Sequence, residues 1–212
     1  MNYVPMKDEK NLNRWTTKLC SMNGNGGLHD QSQFKDAVAM LEEAISEWDS
    51  PQLRHIVLTG ADESTYQRFI DEMKRKRYMP RKAYKAALET DNRKGIHCHW
   101  MLITDASSPD SMFDIDDDSS RLYQVQTLIR RTTPDFEVTV RQPRRHRTPY
   151  ISLGDTTLND AADYFSYALK ARSKPPVGSG GCYWSSRSAK RTCAAHRPAR
   201  LVKPKHLCEI EF

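Results

Sequence analysis

Strand-length apolar runs and longer helix-like periods alternate along this chain in one order, and that order restricts the folds open to it. Phe34, Ala37, Val38, Leu41, Ala44 and Ile45 recur at three- and four-residue spacing before Pro51, which predicts a helix. His55-Ile-Val-Leu-Thr59 reads as a buried strand. A helix follows from about Glu63 to Arg77, with Phe69, Ile70 and Met73 inward. Residues 83–89 and 96–103 form a strand pair around the polar turn 91–95. A helix over Leu122–Arg131, an alternating strand over 136–140 and a short strand over 150–153 come next. Thr156 or Asn159 then caps a helix reaching about Ser173, and the Pro- and Gly-rich stretch 173–181 is a hinge. Strand, helix, strand, strand, helix, strand, helix is the order of an α+β sandwich: a mostly antiparallel sheet covered by helices. The expected organisation is a helical N-terminal extension over 1–52, a central domain over 53–175 and a basic tail over 176–212.

Charge is uneven along the chain. From Arg141 onward there are 14 Lys/Arg against 5 Asp/Glu, whereas the first 140 residues hold 19 and 22. Arg141, Arg144, Arg145, His146 and Arg147 head the basic part, and a polyanion such as nucleic acid is the expected partner. A solvated basic tail is the plainer reading. No stretch approaches the roughly 18 apolar residues of a spanning helix. The start, MNYVPMKDEKNLNRW, lacks the pattern of a signal peptide, so no membrane role and a cytoplasmic location are expected. Five scattered cysteines then read as reduced thiols. A zinc site from Cys182, Cys193, His196, His206 and Cys208 would lack paired C-x-x-C knuckles. The acidic segment 106–120 carries Asp114, Asp116 and Asp118 but not the glycine and glutamate of a calcium loop, and reads as a mobile loop.

Two constellations carry chemistry. On the strand 96–103, side chains alternate between faces, so His97 and His99 point one way, about 7 Å apart. Ile96, Cys98, Trp100 and Leu102 point the other way, into apolar packing. Glu89 lies across the turn, where it can add an oxygen ligand, and Asp91 is two residues away. Two imidazoles and a carboxylate leave positions open on a metal for phosphate and water. Two ordinary, partly buried histidines are the alternative. In the last helix, at about 100° per residue, Leu158, Ala161, Ala162, Phe165 and Leu169 form one apolar stripe. Tyr167 falls opposite it, with Lys170 and Lys174 nearby, and Tyr164 sits at the stripe's edge. A phenol is a weak nucleophile until cations lower its cost of ionisation. An exposed tyrosine on a basic helix is the alternative here.

GIHCHWML resembles the His-hydrophobic-His signature of the HUH endonucleases. YALKARSK looks like the Y-x-x-K-x-x-x-K motif of their replication-initiator branch, HIVLTG like the strand that opens their nuclease core, and CYWSSR like a segment of filamentous-phage-type members. The likeness spans about residues 53–187. It implies an RRM-like, ferredoxin-like antiparallel sheet. It also implies Mg²⁺ or Mn²⁺ held by Glu89, His97 and His99 at a scissile phosphate, with Tyr167 as nucleophile and Lys170 assisting. Lys174, Arg141, Arg144, Arg145 and Arg147 would contact DNA. Ala171 stands where some members carry a second tyrosine, so one catalytic tyrosine is implied. The implied activity is rolling-circle initiation: nicking single-stranded DNA at an origin hairpin, forming a 5′-phosphotyrosine and a free 3′ hydroxyl, and rejoining the strand. Host helicase and polymerase are the implied partners. A single-strand transposase or a relaxase shares the chemistry, although relaxases usually place the tyrosine before the histidines. A non-catalytic DNA-binding regulator could keep the same fold.

Overall fold

The computed structural model describes residues 31–75, 78–79, 81–91, 95–105, 110–144, 146–169 and 183–185. Helix α1 (Gln31–Glu47) leads into strand β1 (Pro51–Thr59), helix α2 (Glu63–Met73) and the hairpin of β2 (Lys82–Asp91) and β3 (Gly95–Asp105). Helix α3 (Arg121–Arg130), β4 (Glu137–Arg141), the two-residue β5 (Ile151–Ser152), α4 (Leu158–Tyr167) and β6 (Tyr183–Ser185) complete the order. The sheet runs β4-β1-β3-β2-β6, with β5 also against β1, and every pairing is antiparallel. Each of β1-α2-β2 and β3-α3-β4 is therefore a split βαβ unit whose two strands enclose a strand of the other unit. The expected α+β, ferredoxin-like antiparallel sheet with packed helices is the observed fold.

Strand parity sorts the side chains. The even-numbered Ile56, Leu58, Tyr84, Ala86, Leu88, Cys98, Trp100, Leu102 and Val138 bury themselves under α2 and α3 with Tyr66, Phe69, Ile70, Leu122, Val125 and Ile129. The odd-numbered Leu53, Met101 and Ile103 lie in a second core with Phe34, Val38 and Leu41 of α1 and Leu158, Ala161, Ala162 and Phe165 of α4. Both faces are thus covered, and α1 belongs to the packed structure. The predicted stripe of α4 is buried in full, Leu169 included. Each large apolar side chain of that stripe contributes about 1.5–3 kcal/mol of transfer free energy. No helix among the described residues is long and apolar enough to cross a membrane.

Several boundaries differ from expectation for physical reasons. Helix α2 stops at Met73 rather than Arg77, because Lys74 and Arg75 offer no apolar group to the core and the chain turns to bury Met79. Its start is fixed by Asp62, whose carboxylate accepts from the Thr65 amide at 2.8 Å. Helix α4 follows Thr157, neither Thr156 nor Asn159, and that hydroxyl bonds the Gly154 amide and the Ser152 carbonyl instead of the helix end. The expected continuation to Ser173 lies outside the described residues beyond 169. The acidic segment is anchored over its second half: Met112 and Phe113 are buried, and Asp114 and Asp117 accept from the amides of Asp116 and Ser119. Phe113 packs on the guanidinium of Arg54, a fully buried cation that also donates to Thr104 and Gln52. The tail, expected to be irregular, supplies the edge strand β6 beside Lys85–Ala87.

Candidate metal centre

Glu89 and His97 are direct partners in the β2–β3 ladder, and His99 is two residues further along the same face. The hairpin thereby converts a local sequence pattern into three converging side chains. Glu89, His97 and His99 are all buried, and one ligand atom from each lies within 4.8 Å of the others. His99 Nε2 stands 3.3 Å and His97 Nε2 3.7 Å from the same Glu89 oxygen, Oε2. The two rings lean together, with centroids 5.0 Å apart, closer than strand rise alone suggests.

The far side of each ring is also engaged. His97 Nδ1 lies 3.3 Å from the Gly95 carbonyl. Gly95 has φ +65°, a left-handed conformation that suits glycine and turns the chain into β3. His99 Nδ1 lies 2.8 Å from Nε2 of His55, a residue of β1. Both Nε2 atoms therefore face the carboxylate while both Nδ1 atoms are held from behind. This is how ligating histidines are usually oriented, and the donor set of two imidazoles and one carboxylate fits a divalent metal ion. Cys98 points to the opposite core and takes no part, as its parity requires, whereas Ile96, expected in the same packing, is exposed beside the hairpin turn.

His55 is the residue that sequence reasoning missed. Its strand was read as buried, but pairing decides its neighbours: His55 lies opposite Met101 on β3 and opposite Arg141 on β4, diagonal to His99. Burial, then the neighbouring His99 and Arg141, hold its pKa well below the ordinary value, with Glu89 opposing. A neutral ring follows. Tyr164 of α4 stands edge-on to His55, ring centroids 5.3 Å apart, and its hydroxyl donates to the Arg141 carbonyl at 3.2 Å. Burial pushes the Tyr164 phenol well above its usual range, and Arg141 only partly offsets this.

Helix α4 approaches the triad from one end. It begins just after β5, which pairs with Gln52 and Leu53, and by Tyr164 it has reached His55, one row of the sheet from His99. Tyr167 is its last residue, a turn further on. Lys170 and Lys174 lie outside the described residues, as do Arg145 and the zinc candidates Cys182, Cys193, His196, His206 and Cys208. Arg141 is exposed at the edge of the triad face, and Arg144 and Arg147 are exposed in the loop that follows.

Comparison with protein-family models, with curated proteins and with solved structures finds no match to this chain. The site's own geometry carries the functional argument.

Proposed function

We propose that the chain is an HUH-type, metal-dependent endonuclease that nicks single-stranded DNA with Tyr167 and initiates rolling-circle replication. One observation supports this above the others: helix α4, which ends in Tyr167, packs on the same face of the sheet as Glu89, His97 and His99. Had the two motifs been unrelated, nothing would have required them to share a face.

In this reading Glu89, His97 and His99 hold Mg²⁺ or Mn²⁺, and the two nitrogen donors favour Mn²⁺. The bound ion supplies positive charge at the scissile phosphate. The Tyr167 oxygen bonds to phosphorus as the bond from phosphorus to the 3′ oxygen breaks. The phenol gives up its proton and the departing 3′ oxygen gains one. The products are a 5′-phosphotyrosine and a 3′ hydroxyl, and the reverse transfer rejoins the strand. Lys170 stabilises the negative charge that develops, as cations near a reacting phosphate do. Lys174, Arg141, Arg144, Arg145 and Arg147 track the DNA backbone. The origin hairpin, host helicase and polymerase, and a bacterial cytoplasm complete the proposal.

The burial of all three ligands favours a second reading, in which the ion only ties β2 to β3 and the protein binds DNA without cutting it. One experiment separates the two. Circular single-stranded DNA and Mn²⁺ are incubated with the protein, and products are run on a denaturing gel. A covalent protein–DNA band is expected. Binding with no nick favours the second reading, and a nick with no attached protein indicates attack by water.

A further inference from the structure

We infer that His55 is a positioning residue for the metal centre: it accepts a hydrogen bond from His99 Nδ1 and so leaves the His99 Nε2 lone pair directed at the ion. This rests on the metal site of the proposed function and adds a fourth residue, from a different strand, to it.

The chemistry leaves His99 little choice. A neutral imidazole carries its proton on one nitrogen and its lone pair on the other. With Nε2 given to a metal, the proton sits on Nδ1 and needs an acceptor in a buried place. His55 Nε2, 2.8 Å away, is that acceptor. It can accept only as the Nδ1–H tautomer, so one histidine's tautomer fixes the other's. His97 meets the same need through the Gly95 carbonyl, a backbone group. His99 lies mid-strand, where the neighbouring carbonyls belong to the β1 and β2 ladders, so a side chain must serve. The diagonal position on β1, one row further from the hairpin turn, supplies it. His55 also abuts Tyr164, so a single ring joins the ligand strand to the helix ending in Tyr167.

The direct test is nitrogen NMR on histidine-labelled protein loaded with Zn²⁺, a diamagnetic ion that imidazole and carboxylate ligands also hold. His55 is expected as the Nδ1–H tautomer, with His99 protonated at Nδ1. Mn²⁺ affinity is the second readout. His55→Phe keeps a ring against Tyr164 but offers no acceptor, and should weaken Mn²⁺ binding about 10–100-fold. His55→Gln restores an acceptor oxygen and should recover most of the affinity. A proton on His55 Nε2 in the Zn²⁺ form overturns the inference, as does undiminished Mn²⁺ binding by His55→Phe. If the Phe variant does not fold, the tautomer in the parent protein decides. Failure of the underlying site looks different. The parent protein would then bind no Mn²⁺, or binding would survive alanine at both His97 and His99, and the inference would fall with it.

Discussion

Two tyrosines one helical turn apart, Tyr164 and Tyr167, should respond very differently to loss of a single oxygen. The Tyr164 hydroxyl donates to the Arg141 carbonyl at 3.2 Å, longer than a usual hydroxyl hydrogen bond. A neutral hydrogen bond contributes about 0.5–1.5 kcal/mol net, and a long one belongs at the lower end. Tyr164→Phe keeps the ring against His55 and leaves the exposed Arg141 position open to water. The expected loss is about 0.5–1 kcal/mol, or roughly 1–4 °C in melting temperature for a chain of this size. Cleavage should persist, because burial keeps this phenol protonated and its hydroxyl is already directed at a backbone carbonyl. Tyr167→Phe should bind single-stranded DNA and form no covalent adduct. Thermal melting, a denaturing gel and mass spectrometry of the nuclease-trimmed adduct read these outcomes. A nucleotide on Tyr164, or a folded Tyr164→Phe protein unable to form adduct, would refute the reasoning.

Alanine at both His97 and His99 should abolish nicking and Mn²⁺ binding while circular dichroism shows the fold intact; full cleavage by the double variant in Mg²⁺ would remove these residues from the site. Glu89→Ala should weaken metal binding by a smaller factor if Asp91 substitutes for it, a point that Asp91→Ala in the same background checks. Replacing Arg141, Arg144, Arg145 and Arg147 with glutamine should flatten the salt dependence of DNA affinity, by up to about 3 in logarithmic slope if all four meet phosphates of a single strand. An unchanged slope would place the DNA elsewhere. At Gly60, which has φ +73°, an added Cβ would lie 1.8 Å from the Asp135 carbonyl oxygen. Left-handed strain and overpacking together make Gly60→Ala cost about 2–5 kcal/mol in urea unfolding. A loss below about 1 kcal/mol would show that the turn before β4 yields easily.

Much of the fold was legible because its local patterns agree with its topology. The apolar stripes of α1 and α4 repeat at helical spacing, and both bury the residues that the spacing names, except that Ile45 at the end of the α1 stripe is only partly buried. The antiparallel sheet followed from the order of elements, since a strand–helix–strand–strand–helix–strand chain closes economically as two interleaved βαβ units. What failed was local chemistry with a non-local outcome. Lys85 and Arg54 look like solvent-facing positions in their strands, yet both are buried. Lys85 reaches Asp36 of α1, and Arg54 lies against the rings of Phe113 and Tyr150, partners that no window around either residue contains. Strand β6 is three residues long and exists through pairing with β2, so its own sequence carries little signal.

The candidate metal site divides in the same way. Glu89, His97 and His99 lie within one hairpin, so strand periodicity and a short turn suffice to place them together. His55 is more than forty residues from His99 in the chain, and only the β1–β3 register brings the two rings into contact. A slip of one residue in that register would turn His55 into the core beneath α2 and α3, leaving His99 without its acceptor. The register is held by what lies around it. Ile56 and Leu58 fill one core and Leu53 the other, while Gly60 allows the turn before β4 to approach. The hydrophobic pattern of HIVLTG therefore does more than bury a strand: it sets the position of His55, whose ring nitrogen meets that of His99. Because register alone brings His55 to His99, that contact could be read only after the strands were paired.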